Sequence, residues 1–199
     1  MKNGKHLTNK GKVGFACKYL HEDQSLKPIG IYGTLKLAGE LMVKSYYQVF
    51  NMPYTIIRPS ALYGERCVSR RVGQIFIENA INNHEIKIGG DGEDKLDFTY
   101  IKDLCNGVQL CIEKEKSINE IFNLTFGSSR TINNMKDILL KSFPNAQISY
   151  EKRDKLMPKR GTLSIGKAKK LLGYNPSYAI EDAYPEYIEW YKDFLKSEV

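Results

Sequence analysis

Tyr32-Gly33-Thr34-Leu35-Lys36-Leu37-Ala38-Gly39-Glu40 is the stretch from which the rest of the chain can be read. It heads a segment whose stripe Leu35, Ala38, Met42, Ser45 and Val49 has the spacing of a core-facing helix surface, running to about Asn51. On that helix Tyr32 and Lys36 lie one turn apart, with side chains starting about 5–6 Å from each other. A fixed ammonium beside a phenol favours the phenolate, which would let Tyr32 exchange a proton with a carbinol oxygen. The same two residues also fit an ordinary amphipathic helix, so the neighbouring stretches have to decide. Gly39 in mid-helix costs about 1 kcal/mol against Ala and marks either close packing or nothing more.

Working outward, Asn51-Met52-Pro53 breaks the helix, and Tyr54-Thr55-Ile56-Ile57 is a β-branched run expected to form a buried parallel strand. Arg58-Pro59-Ser60-Ala61-Leu62-Tyr63-Gly64 follows at its carboxyl end, where ligands collect in open α/β sheets. Residues 73–81 form a helix, Glu85-Ile86-Lys87-Ile88 a strand, and Gly89-Gly90-Asp91-Gly92 a turn. Asp103 is expected to cap a helix over 104–114, a structural role favoured over catalysis. Further strands are expected at 121–124 and 147–150. Thr131 should cap a helix over 132–143, and Ser164 the helix that carries Lys167 and Ala168. The last helix, 180–194, carries the aromatic stripe Tyr187, Trp190, Tyr191 and Phe194, which belongs in a core. Before all of these, 13–17 is the one candidate strand, and 21–28 reads as a loop. Helices alternate with short apolar strands, so the class is α/β.

Composition sets outer limits. The chain has 199 residues, 42% hydrophobic and 27% charged, as in an ordinary globular protein. No apolar run nears the roughly 18–20 residues that cross a bilayer, and the first residues lack the apolar core of a signal peptide, so a cytoplasmic protein without a membrane partner is expected. Cys17, Cys67, Cys105 and Cys111 form no C-x-x-C pair and the three His are scattered, which favours reduced thiols over disulfides or a metal site. A formal net charge of +7 would suit nucleic acid, but the charge is spread through Lys-rich helices. Arg66, Arg70 and Arg71 are the exception. They stand near a helix N-terminus, where they suit a diphosphate or a solvated basic turn equally well.

Tyr-x-x-x-Lys, the Arg-Pro stretch at 58–64 and the Gly-Asp-Gly turn, with Leu96-Asp97-Phe98-Thr99-Tyr100-Ile101 after it, occur in an order that resembles the extended short-chain dehydrogenase/reductase superfamily. The resemblance is to its NAD-dependent sugar-nucleotide epimerases and dehydratases and runs from about Glu22 to the C-terminus. It implies a partial Rossmann-like parallel sheet with a smaller C-terminal α/β substrate-binding domain. Residues 1–64 would be the remnant of the NAD(P)-binding domain, and 65–199 mainly the substrate-binding domain, with some segments free to return to the sheet. The function implied is epimerisation or dehydration of a nucleotide-diphosphate sugar with NAD or NADP.

By the same resemblance Tyr32 is the base and Lys36 its cationic neighbour and ribose contact. Pro59 and Ser60 face the nicotinamide, and Arg66, Arg70, Arg71 and Arg160 hold the diphosphate. The chain departs from the family at Ala61, where Asn is frequent, at Leu96, where Arg is usual, and at Ser164, where many relatives have Asp. No Ser or Thr closes the strand before Tyr32; the nearest are Thr8 and Ser25. A dinucleotide-binding fold also needs a first strand, a Gly-rich turn and an acidic residue about 20 positions on, and none precedes Tyr32. A truncated chain is therefore expected. It would be completed by a partner chain supplying the missing strands and prone to homo-oligomerise through its open sheet edge. The alternative is a non-catalytic remnant or interaction subunit.

Overall fold

A computed structural model describes residues 19–28, 30–67, 69–154 and 160–197; the strand expected at 13–17 lies outside them. Its strands are short and paired in twos, and four of the five pairings are parallel, as βα alternation requires. β1 (Tyr19–Leu20) leads through a loop into helix α1 (Gly30–Phe50), which ends at Asn51, a residue with φ of 52° ahead of Pro53. Strand β2 (Thr55–Arg58) and the two-residue strand β3 (Leu62–Tyr63) follow, then α2 (Val72–Ile81), β4 (Ile86–Gly89), β5 (Lys95–Leu96) and β6 (Thr99–Tyr100). α3 (Ile101–Glu113) and a 3₁₀ turn at Glu115–Ser117 lead to β7 (Glu120–Asn123), β8 (Arg130–Thr131) and α4 (Ile132–Ser142). The chain closes with β9 (Ile148–Glu151), β10 (Thr162–Leu163), α5 (Gly166–Leu172) and α6 (Ile180–Ser197).

Two cores hold these elements. The larger joins α2, α4 and α6 to β4 and β6 through Phe76, Ile77, Ile86, Ile88, Tyr100, Met135, Leu139, Tyr184, Tyr187 and Ile188. Within it the rings of Tyr63 and Tyr100 lie 5.3 Å apart, and the Tyr184 hydroxyl donates to the Gly73 carbonyl at 2.8 Å. Tyr187 and Tyr191 of the expected aromatic stripe are buried here; Phe194, at the far end, is 38% exposed. The smaller core packs Cys111 of α3 and Phe122 and Leu124 of the β7 region against Ala168 and Leu172 of α5, with Ile57 of β2 at its edge. β2 pairs with β7 in parallel register, Ile56 opposite Ile121, and among the described residues no strand lies on its other edge.

Several expectations need correction. The stripe on α1 faces solvent: Leu35, Met42 and Val49 are 65%, 61% and 71% exposed, and the helix has no buried residue. It meets the rest of the structure through the opposite side, Gly33, Leu37, Glu40 and Lys44, and through Tyr47 against Tyr54, so the apolar stripe has no counter-surface among the described residues. A Cβ built on Gly39 meets nothing within 4 Å, which excludes close packing as the reason for that glycine. β2 is half-buried along its whole length rather than buried, because its far edge is uncovered. Asp103 does not cap α3. The cap is Tyr100, without a side-chain bond, and the buried Asp103 carboxylate instead accepts the Ser177 and Tyr178 N–H groups at 2.9 and 3.1 Å, tying α3 to the entry of α6. Ser164 stands one place before the cap of α5, which is Ile165; its hydroxyl meets Gly166 N–H only at 3.4 Å. Thr131 caps α4 as expected, in a reciprocal capping box with Asn134.

Candidate active site

α1 precedes β2 in the chain, and its Glu40 meets Arg58, the last residue of β2 and the one before Pro59. The helix places Lys36 Nζ 5.5 Å from the centre of the Tyr32 ring, and both side chains are open to solvent, Tyr32 at 70%. Pro59 is exposed and Ser60 half-buried. Ala61 has φ of 39° and Gly64 φ of 133°; a Cβ at Gly64 would lie 2.5 Å from the Ile101 side chain, so this turn needs glycine twice over, for its dihedral and for its space.

Beyond Gly64, burial works against the charge on Glu65, but the Tyr100 hydroxyl (2.6 Å), the backbone of Glu65 and Lys102 (3.4 Å) together hold its carboxyl below the usual range. The arginine-rich turn follows. Arg70 is committed to an ion pair, 2.6 Å from Glu78 of α2, while Arg66 and Arg71 are exposed, the latter at the N-terminal cap position of α2. Arg71 makes no capping bond, so the first N–H groups of α2 receive no side-chain cap from it. Arg160, also exposed, stands just before β10.

Beneath these positions lie residues that motif reading did not single out. Asp97 is fully buried, and its carboxylate accepts Thr125 Oγ1–H (2.9 Å), Gly127 N–H (3.0 Å) and Leu163 N–H (3.0 Å). It ties the β5–β6 junction to the 125–127 turn and to β10, three residues from Arg160. Burial pushes the Asp97 carboxyl up, partly offset by these donors. Arg58 is the second such residue. Its Nε and Nη2 hold both carboxylate oxygens of Glu40 at 2.8 and 2.7 Å, and Nη1 donates to the Glu22 carbonyl at 2.9 Å. The Arg58-Pro59 pair is visible in the sequence, but nothing there links it to Glu40.

A cavity of about 720 Å³ runs along the inner side of α1 over β2 and β7, lined among others by Leu37, Glu40, Lys44, Arg58, Glu120 and Lys167. Tyr32, Lys36, Pro59 and Ser60 do not line it, nor do Arg66, Arg70, Arg71 and Arg160, the four arginines expected to hold the diphosphate. The structure thus brings Tyr32 to Lys36 and leaves Arg66 and Arg71 exposed, without enclosing the two pairs in a common pocket among the described residues. Of the residues expected to meet a dinucleotide at its nicotinamide end, Tyr32 and Lys36 share one helical turn, and Pro59 and Ser60 follow β2 directly. The described residues do not fit its pyrophosphate end, since none of the described helices opens on a glycine-rich turn following a strand. No cluster of three His, Cys, Asp or Glu residues able to hold a metal occurs among them, and no helix among them is long and apolar enough to cross a membrane.

Compared with known proteins, residues 14–125 match the NAD dependent epimerase/dehydratase family. UDP-glucuronate 4-epimerase of Thermodesulfobacterium geofontis is 30% identical over 180 residues, 88% of this chain and 55% of that protein. An uncharacterised UDP-glucose epimerase of Bacillus subtilis is 29% identical over 89% of this chain and 56% of its own length. Among solved structures, UDP-glucuronic acid 4-epimerase from Bacillus cereus, in complex with UDP-glucuronic acid and NAD, aligns with a TM-score of 0.84 at 29% identity, covering 88% of this chain and 57% of that one. The fold is therefore Rossmann-like α/β, and the chain spans a little over half the length of the curated relatives it matches.

Proposed function

Because the chain belongs to the NAD-dependent epimerase/dehydratase family, we propose that it forms the substrate-facing part, with the proton-transfer helix, of an enzyme that epimerises or dehydrates a nucleotide-diphosphate sugar. The observation that carries this reading is the Tyr32–Lys36 turn, with the ammonium 5.5 Å from the phenol ring, at the head of a helix that leads into β2 and its Pro59–Ser60 loop. As the phenolate, Tyr32 takes the proton from a sugar hydroxyl and later returns it, and Lys36 steadies the negative charge that the phenolate carries before the first transfer and after the second. NAD, when bound, supplies the hydride chemistry. Arg66, Arg71 and Arg160 are the exposed guanidinium groups for the diphosphate; Arg70 can join them only by leaving Glu78.

The uncovered edge of β2 and the apolar outer stripe of α1 support a further element of this reading. A dinucleotide-binding part, with a strand for the edge and a helix for the stripe, completes the site and turns the exposed Tyr32 into a pocket wall. A second reading, an interaction subunit without cofactor binding, is favoured by the 70% exposure of Tyr32 and by the absence of a glycine-rich turn among the described residues.

Calorimetric titration with NAD and UDP-glucose separates the two, run on the full chain alone and after co-expression with the dinucleotide-binding half of a relative. The enzymatic reading expects sugar-nucleotide binding by the chain, NAD binding by the complex, and turnover that Tyr32→Phe lowers by about 10²-fold or more. Absence of both ligands in every combination overturns it.

A further inference from the structure

Arg58 stands where three segments meet. Two of its guanidinium nitrogens grip the Glu40 carboxylate in a fork, at 2.8 and 2.7 Å, and a third donates to the Glu22 carbonyl at 2.9 Å. Glu22 in turn accepts the Asn123 N–H of β7 through its carboxylate at 3.0 Å, and the Asn123 amide donates to the Leu20 and Ser164 carbonyls at 3.0 and 3.1 Å. One network therefore joins α1, the loop that enters it, β2, β7 and the segment ahead of α5. Both charged partners are largely shielded, with 17% and 16% of their side chains exposed, which strengthens a forked ion pair relative to one at the surface.

The sequence positions give this network its meaning. Glu40 lies one helical turn after Lys36 and two after Tyr32, so what grips Glu40 fixes both the rotation of α1 and its position along its own axis. Arg58 is the residue immediately before Pro59 and Ser60. The rest of α1 offers little to fix its first turns: it has no buried residue, its partly shielded residues are Gly33, Leu37, Glu40 and Lys44, and its ring contact outside the helix, Tyr47 against Tyr54 at 5.9 Å, lies two turns beyond Glu40. At the entrance Pro28 packs over Gly33, where an added Cβ would come to 3.0 Å from the proline ring, which holds the first turn sideways but not its register.

We infer that Arg58 and Glu40 form a positioning clamp that sets the Tyr32–Lys36 turn against the loop starting at Pro59. Neither residue touches the reacting atoms. The inference rests on the enzymatic reading for its purpose but not for its geometry, and the two can fail separately.

Hydrogen–deuterium exchange on the full chain tests the geometry. Glu40→Gln and Arg58→Gln each raise exchange at residues 30–38 by about tenfold or more and leave α2, α4 and α6 unchanged, because those helices belong to a different core. The charge swap Glu40→Arg with Arg58→Glu recovers most of the protection, which a general loss of stability cannot do. Uniform acceleration across all helices, no acceleration at 30–38, or a swap no better than the single variants overturns the clamp. In the complex with the dinucleotide-binding half, Arg58→Lys lowers kcat about tenfold and leaves KM for the sugar nucleotide unchanged, as misplacement of an acid–base group requires. A raised KM with unchanged kcat overturns the positioning role. If the wild-type complex shows no turnover, the enzymatic reading falls and the exchange experiment alone decides the clamp.

Discussion

α1 and α6 are the two longest helices, of 21 and 18 residues, and they end in opposite circumstances. α6 buries Ile180, Ala183, Tyr184, Tyr187, Ile188 and Tyr191 against α2, α4 and β6, whereas α1, whose Leu35, Met42 and Val49 also recur at helical spacing, has no buried residue. Helical periodicity reports which side of a helix avoids water. It does not report whether the surface that would cover that side belongs to the same set of residues. The apolar stripe of α1 has no covering surface among the described residues, and α6 shows what the same pattern does when a neighbour covers it.

The contrast is broken or sharpened first at α6. Tyr184 is fully buried, donates to the Gly73 carbonyl and packs on Tyr63 and Tyr187. Tyr184→Ala should cost about 3–5 kcal/mol and lower Tm by roughly 10 °C or more in thermal melting. A change below about 1 kcal/mol would mean that α6 is no better packed than α1, and the comparison would collapse.

A smaller effect is expected where α6 is tethered. Asp103→Ala leaves the Ser177 and Tyr178 N–H groups without their acceptor, at a cost of about 2–3 kcal/mol by denaturant titration. Asp103→Asn should recover part of this, since one oxygen still accepts.

The pH dependence of stability gives a third measure, through Asp97. Burial raises its carboxyl above the ordinary value, so in the native state it holds its proton to higher pH than in the unfolded chain. Between the unfolded value near 3.9 and the raised native value the folded state binds more protons, and its stability must fall as pH rises through that window. Glu65 and Glu78 are shifted down and act in the opposite direction, contributing stability above the usual glutamate range that is lost in acid. Comparing wild type with Asp97→Asn isolates the first contribution. The stability difference in favour of wild type should shrink as pH rises across the window; a difference that grows with pH reverses the sign and refutes the assignment.

Much of this architecture was legible from residue patterns, and the reasons are local. Thr131 fixes the start of α4, Asn51-Met52-Pro53 fixes the end of α1, and the period of the aromatic residues in α6 fixes its buried side. What depended on distant pairing was not legible. Asp103 looks like a cap because a cap is a local device, yet it bonds to residues 74 and 75 positions away. Arg58 and Glu40 are 18 apart and unremarkable singly, and Asp97 acquires its role only when 125–127 and 163 fold over it. The Tyr32–Lys36 turn was legible because its spacing is a single helical turn; its surroundings were not, because they are made by other segments.

The smallest effect is expected on α1 itself, and it is the most informative. Leu35→Gln with Met42→Gln changes two residues that are 65% and 61% exposed, and glutamine keeps nearly the same helix propensity as the residues it replaces. In the chain alone the pair should alter stability by no more than about 0.5 kcal/mol per site, and Tm by only about 1–3 °C. The same substitutions should weaken self-association in sedimentation velocity and abolish capture of the dinucleotide-binding half, since the stripe is where an apolar partner gains most from leaving water. Loss of stability on the scale of Tyr184→Ala would show that α1 is already covered in the isolated chain. Unchanged stability with unchanged association would show that its stripe serves no partner, and the difference between the two helices would then lie in their sequences rather than in what surrounds them.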